Sequence, residues 1–364
     1  MGSAPPNSLQ FTKPWIETPC LYSAALSKTA GCNIFLKLEN HQPSGSFKSR
    51  GIGNLMVRAA AKASELSGGQ ASVHFYCSSG GNAGLACATA ARGLGSPATI
   101  VVPTSTSPYM IAKLREICDD VRVHGANWAA ADQYLREEVM TKTVSGVVPE
   151  VVTPVYVPPF DHPDIWDGAA SLVEEVSRQL PAGVHPDAFV CSVGGGGLLC
   201  GLMQGMEQVY GKEAAHATKM LAVETAGAES LMASVEAGKL VTLPGISSIA
   251  TSLGCIRVAE QAYQWYRQRP KAVVPVVVSD AAAVDAIVHF LDDTRMLVEP
   301  ACGAALAPLY TKASPESDVS LLRQSLGAGM SDVAWAEHNV VMVVCGGSNI
   351  SLDILAGFRE RFGV

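Results

Sequence analysis

Ser44-Gly45-Ser46-Phe47-Lys48-Ser49-Arg50-Gly51 sets one lysine amine on a turn of small residues, directly after an apolar run. That run, Asn33-Ile34-Phe35-Leu36-Lys37-Leu38-Glu39, alternates as a strand does, and Gln42-Pro43-Ser44-Gly45 breaks it. Lys48 therefore falls where a strand ends and a helix begins, the place where open α/β sheets keep their chemistry. An amine held there can form a Schiff base with a carbonyl. Most lysines after a turn are simply solvated, so the reading depends on what else the chain offers.

Two glycine-rich stretches supply it. Val193-Gly194-Gly195-Gly196-Gly197-Leu198-Leu199 joins the apolar run 188–193 to a helix-like stretch at 198–209. Consecutive glycines leave backbone N–H groups unobstructed, and a helix N-terminus adds its dipole, so this turn suits a phosphate. A flexible linker is the bland alternative, and the apolar flanks argue against it. Cys77-Ser78-Ser79-Gly80-Gly81-Asn82-Ala83-Gly84 lies between the apolar run 71–76 and an alanine-rich helix at 85–92. Its hydroxyls, amide and bare backbone suit an anionic oxygen, although Ser79 or Asn82 would equally serve as an ordinary helix cap. Neither stretch has the spacing of a P-loop, and no G-x-G-x-x-G follows the first strand, so the phosphate need not belong to a nucleotide. An amine for a carbonyl, a cradle for a phosphate and a helix start for a carboxylate together describe pyridoxal phosphate holding an amino acid.

Composition bounds the rest. With 364 residues, 48% of them hydrophobic, the chain can bury a large core and is expected to form two domains. A net charge of −7 disfavours nucleic acid or an anionic membrane as a partner. The first 13 residues lack an apolar signal core and no stretch supplies an uninterrupted span, which points to a soluble cytoplasmic protein. None of the ten cysteines forms C-x-x-C, and most sit in apolar runs, so buried free thiols are expected and a zinc site is not. Strand-like runs at 34–38, 73–76, 99–102, 121–124, 155–157, 189–193, 220–224 and 340–344 alternate with helix-like stretches. That order implies an α/β fold with parallel twisted sheets flanked by helices. Residues 313–332 are the least periodic and read as a surface loop with one short helix.

The motif 42–48, the loop 79–84, the stretch 192–201 and Cys345-Gly346-Gly347-Ser348-Asn349-Ile350-Ser351 together resemble the fold-type II pyridoxal-phosphate enzymes. The chain is most similar to the L-serine dehydratases and L-threonine deaminases of the animal liver type. The likeness covers about residues 15–360, including Pro158-Pro159-Phe160-Asp161 and Leu297-Val298-Glu299-Pro300-Ala301-Cys302-Gly303. It implies a tryptophan synthase β-like architecture. A large cofactor-binding domain comprises 1–49 and 156–364, and a smaller substrate-side domain, 50–155, is inserted in it.

The resemblance also assigns roles. Lys48 carries the pyridoxal phosphate and removes the Cα proton. Phe47 packs on the ring, Asn82 bonds its phenolic oxygen, and Cys345 faces its pyridine nitrogen. Gly194, Gly195, Gly196, Gly197 and Leu198 bind the phosphate, which the family also uses to protonate the departing hydroxyl. Ser79, Gly80, Gly81, Asn82 and Ala83 receive the substrate carboxylate. A monovalent cation, potassium, is implied at Glu224 and the carbonyls of Gly194, Ala228, Leu253 and Cys255. A homodimer is implied too.

The activity so implied is α,β-elimination from L-serine or L-threonine, giving pyruvate or 2-oxobutanoate and ammonia. The alternatives are another lyase or β-replacement enzyme of this type, and a non-catalytic amino-acid-binding protein of the same fold. Cys345 is a neutral partner for the ring, which favours elimination over transamination. Gly80 stands where related dehydratases carry alanine and racemases carry serine. The sequence thus predicts little racemisation, a looser substrate fit, and faster turnover in Gly80→Ala. No regulatory domain follows position 364, so isoleucine inhibition is not expected.

Overall fold

The computed structural model describes residues 13–69, 72–141 and 152–364. Two sheets organise it. The larger comprises β1 (Cys20–Tyr22), β2 (Asn33–Lys37), β7 (Ala188–Ser192), β8 (Lys219–Thr225), β9 (Val273–Val278) and β10 (Asn339–Val343), in the order β1-β2-β10-β7-β8-β9. The smaller comprises β3 (Ser72–Cys77), β4 (Ala98–Val102), β5 (Asp120–Val123) and β6 (Val152–Tyr156), in the order β5-β4-β3-β6. Every pairing is parallel except that of β1 with β2. Parallel pairing requires crossover helices, and these cover the sheets.

Each of the eight expected runs overlaps a strand. The two strands absent from that expectation have physical reasons. β1 is three residues long, and β9 reads Val273-Val274-Pro275-Val276-Val277-Val278, where a proline argues against a central strand. The structure places β9 at a sheet edge, and β6, which contains Pro154, at the edge of the other sheet. An edge strand pairs on one side only, which is where a sheet tolerates proline. In the stretch 313–332, the helix Leu321–Gly327 follows a loop, and a further short helix starts at Asp332.

Side chains of the smaller sheet alternate between two apolar clusters. Phe75, Cys77, Ile100 and Val102 pack with Ile52, Met56 and Leu114. Tyr76 and Val101 face the other way, onto Ala131, Leu135 and Val139. The larger sheet has its own cluster, centred on residues such as Phe189, Val190, Leu221, Val340 and Val341. Burying each such side chain stabilises the fold by about 1.5–3 kcal/mol.

The helix Lys48–Leu66 starts at the end of the larger sheet and buries Ile52, Leu55, Met56, Ala60 and Ala63, three or four residues apart, in the smaller sheet's cluster. Its first turn is anchored by charge. Fully buried Arg50 pairs with Glu39 at 2.7 Å and with Glu175 at 2.6 Å, and fully buried Lys37 pairs with Glu175 at 2.6 Å. Thr18 and Gln179 complete the hydrogen bonding. Two cations and two anions enclosed together leave no uncompensated charge.

Candidate active site

The loops that follow β2, β3, β7 and β10 converge on one cleft, lined by Lys48, Asn82, Gly194, Gly197 and Cys345 among others. This is the carboxyl-end location that parallel sheets give their ligands. Lys48 opens its helix with Phe47 in the cap position. The turn before it bends at Gly45, whose φ of +78° is a left-handed conformation that favours glycine. The Phe47 N–H donates to the Cys345 carbonyl at 3.1 Å, and the Gly347 N–H donates to the Gly45 carbonyl at 2.9 Å. These bonds fasten the lysine turn to the loop after β10, so residues almost 300 positions apart share the cleft.

The Lys48 ammonium donates to the Pro159 carbonyl at 2.5 Å and lies 5.6 Å from the Phe47 ring centre and 6.0 Å from that of Phe160. Burial pushes its pKa down from 10.5 to about 8, against the opposing pull of Cys77, Cys255 and Glu299. Near neutral pH a far larger share of this amine is neutral, and nucleophilic, than of an exposed lysine.

Gly194 to Gly197 bridge β7 and the helix that begins at Gly197. They form a cradle that side chains would fill. A Cβ on Gly195 would lie 2.3 Å from the Phe160 ring, and one on Gly197 would lie 2.8 Å from the Phe160 carbonyl. Gly196 has φ +85°. Bare N–H groups at the start of a long helix fit a phosphate.

Cys345 is buried in the same cleft, and its thiol touches the Ser192 hydroxyl at 3.5 Å. A hydrogen bond with Cys302, together with burial, raises its pKa well above 9, so it is a neutral thiol. The residues present fit pyridoxal phosphate: an amine of lowered pKa, a bare-backbone cradle, an aromatic ring at Phe47 and an uncharged thiol line one cleft.

Asn82 lines the cleft from the smaller sheet, and its amide is held on three sides. It donates to Glu299 at 2.8 Å and to Ser252 at 3.2 Å, while its oxygen accepts from the Ser348 N–H at 3.0 Å. Of the other residues expected at the substrate carboxylate, Ser79, Gly80 and Gly81 are half-buried beside the cleft, and Ala83 is buried in the first turn of the helix Asn82–Gly93. None of these four lines the cleft itself. The Ser79 hydroxyl accepts from the Gly81 N–H at 3.3 Å, capping its own loop.

Glu224 is fully buried in β8 and accepts from the Leu231 and Met232 N–H groups, each at 2.8 Å. Burial pushes its carboxyl up from 4.5 to about 8. Leu253 packs against Gly194, and its carbonyl accepts from the Cys255 N–H at 2.6 Å. No group of three or more histidine, cysteine or acidic residues suited to a metal ion occurs among the described residues. All ten cysteines are free, and only Cys20 and Cys255 are incompletely buried.

The sequence reading assigned no role to Glu299 or Phe160. Glu299 is buried, accepts from Asn82 and from the Asn349 N–H, and has a raised pKa caused by burial. Its signal was present: a carboxylate between Val298 and Pro300, inside an apolar stretch and directly before an alanine-rich helix.

The sequence pattern described as pyridoxal-phosphate dependent enzyme matches residues 12–321. The chain belongs to the pyridoxal-phosphate dependent enzymes. A Bos taurus relative described as L-serine dehydratase/L-threonine deaminase is 43% identical over 349 residues, 96% of each chain. A Homo sapiens relative described as serine dehydratase-like is 43% identical over 348 residues, 96% of this chain and 95% of its own. The crystal structure of a fungal L-serine ammonia-lyase from Rhizomucor miehei is similar with a TM-score of 0.80 and 36% identity, over 96% of this chain and 100% of the other. Among the described residues of this pyridoxal-phosphate dependent enzyme, no helix is long and apolar enough to cross a membrane.

Proposed function

We propose that this enzyme is a lyase that eliminates water and then ammonia from L-serine and L-threonine, releasing pyruvate or 2-oxobutanoate. The observation that carries this reading is the buried Lys48 amine, with a pKa of about 8, in one cleft with the four-glycine turn and the neutral Cys345 thiol. Pyridoxal phosphate, when bound, supplies an electron sink for the pair released at the substrate's α-carbon.

The chain's own groups do the rest. With the cofactor bound, Lys48 Nζ would hold its aldehyde and, as a free amine, would take the substrate's Cα proton. The N–H groups of Gly194 to Gly197 and Leu198 hold the phosphate, and Phe47 covers the ring. Asn82 Nδ2, kept in place by Glu299, would exchange its bond to Ser252 for one toward the phenolic oxygen. Cys345 would offer the ring nitrogen a thiol that cannot stabilise a full positive charge, which favours loss of the β-hydroxyl over transamination. Ser79, Gly80, Gly81, Asn82 and Ala83, of which Asn82 lines the cleft and the other four border it, would receive the substrate carboxylate with hydroxyl, amide and backbone donors. The water lost in elimination is returned when the enamine product hydrolyses, so serine gives one pyruvate and one ammonia.

Three further parts belong to this proposal. The separate sheets and apolar clusters support a division into 1–49 with 156–364 and an inserted 50–155. A potassium ion at Glu224 and the carbonyls of Gly194, Ala228, Leu253 and Cys255 would relieve a fully buried carboxylate, next to which the Ser230 hydroxyl has no partner. Free, buried thiols suit a reducing cytoplasm, and the family resemblance supports a homodimer.

The test is to purify the protein and record its visible spectrum. Ammonia and 2-oxo acid are then assayed from L-serine, L-threonine and other β-substituted amino acids, without an added nucleophile. A yellow protein that releases both products, and loses both colour and activity in Lys48→Ala, is expected. Turnover that requires an added thiol or amine would instead assign β-replacement.

A further inference from the structure

Gly80 is a glycine for a reason that lies 26 positions further along the chain. Its φ is outside the left-handed region, so the backbone does not demand it. A Cβ built at position 80 would lie 2.4 Å from Thr106 Oγ1, 2.5 Å from Thr106 Cγ2 and 3.0 Å from Thr106 Cβ. The space expected to be empty beside Gly80 is therefore filled by a threonine from the loop between β4 and the next helix.

Turning the threonine does not free that space. Its two γ atoms share three staggered positions, and both positions now occupied are too close to a residue-80 Cβ. Any other staggered rotamer leaves at least one γ atom in one of those two positions. A serine, with a single γ atom, has the third position available. Backbone movement is restrained as well. The Thr106 N–H donates to the Pro103 carbonyl at 3.0 Å, and Ser107 caps the helix Pro108–Ile117 by accepting from the Met110 N–H. On the other side, Gly81 caps the helix that carries Asn82.

We propose that Thr106 is a specificity-determining residue, paired with Gly80, whose γ atoms occupy the volume of a residue-80 side chain and so limit what the carboxylate loop accepts. The proposal rests on the reading of residues 79–83 as the substrate loop. It reverses the expectation that an added methyl at position 80 raises turnover, because here that methyl meets an occupied site.

The test compares four holoenzymes: the parent, Gly80→Ala, Thr106→Ser and the double variant. Each is assayed for melting temperature, for the spectral change on titration with L-serine and L-threonine, and for kcat and KM with both. Gly80→Ala alone is expected to melt lower and to lose about tenfold or more in kcat/KM, the usual scale of overpacking. Adding Thr106→Ser should restore both, to within about threefold of Thr106→Ser alone, a non-additivity that marks direct contact. Thr106→Ser should also shift the ratio of threonine to serine affinity while leaving the visible band of the bound cofactor unchanged. The proposal is overturned if Gly80→Ala is as stable and active as the parent, if it is equally impaired in the double variant, or if the affinity ratio does not move. Binding of both amino acids without turnover would sink the assigned reaction and leave the pairing standing. Absence of binding in all four proteins would remove the subsite itself.

Discussion

Lys48 shows how a single side chain acquires its chemistry from its surroundings. An exposed lysine is almost wholly protonated at neutral pH, whereas burial brings this one to about 8. Cofactor capture by the apoprotein should therefore speed up as pH rises toward 8 and level off above it. An ordinary lysine would keep gaining up to about 10.4. Growth of the visible band after mixing with pyridoxal phosphate measures this, and a rate still climbing tenfold per unit above pH 9 would contradict it. The linkage has a definite sign. Between about 8 and 10.5 the unfolded chain holds a proton on this amine that the folded apoprotein does not, so its contribution to stability rises with pH across that window. Lys48 and the glycines were legible in the sequence because a lysine directly after a strand-like run, and four consecutive glycines between apolar runs, are local patterns. Thr106 was not, because its effect comes from contact with Gly80 across two loops, and no local pattern encodes a contact between loops.

Elements carry information of a different kind. The eight strand-like runs were readable from their alternation and apolar content, but the network that holds the Lys48 helix was not. Arg50 and Glu175 are 125 positions apart, and each reads as an ordinary charge on a helix. Removing Glu175 leaves Arg50 with Glu39 alone and the buried Lys37 ammonium without a carboxylate. Glu175→Ala should cost about 3–5 kcal/mol of stability, measured by denaturant unfolding of the holoenzyme; a change below about 1 kcal/mol would mean that water reaches the network. Strand β8 supports a second prediction, through Glu224. Its carboxyl is neutral below about 8 in the fold but ionises from 4.5 in the unfolded chain, so its contribution to stability falls as pH rises through that interval. A cation held there would favour the ionised form. Potassium should then raise the melting temperature more at pH 9 than at pH 6, relative to tetramethylammonium at equal ionic strength. An equal effect of both salts at both pH values would count against the site.

At the scale of the whole molecule, the cleft lies between two sheets with separate cores, and a set of polar contacts joins the two sides. Asn82 reaches Glu299 and Ser348 from the smaller sheet. The helix Pro108–Ile117 adds two more: the Tyr109 hydroxyl donates to the Ile350 carbonyl at 2.9 Å, and the Lys113 ammonium donates to the Ser348 carbonyl at 3.0 Å. Lys113 also lies 4.5 Å from the Tyr109 ring centre, so the two contacts support each other. Ser348 and Ile350 belong to the loop after β10, the same loop that is fastened to the Lys48 turn. The smaller sheet is thus held against the loop that carries Cys345, and it brings residues 79–83, proposed above to receive the substrate carboxylate, with it. Tyr109→Phe removes one crossing bond and leaves the cofactor's own contacts alone. A neutral hydrogen bond contributes about 0.5–1.5 kcal/mol, so KM should rise by about two- to tenfold. The visible band and the affinity for pyridoxal phosphate should stay as they are. A loss of cofactor affinity equal to the rise in KM would show that the smaller sheet helps to build the cofactor site itself, and that its approach does not act on the substrate alone.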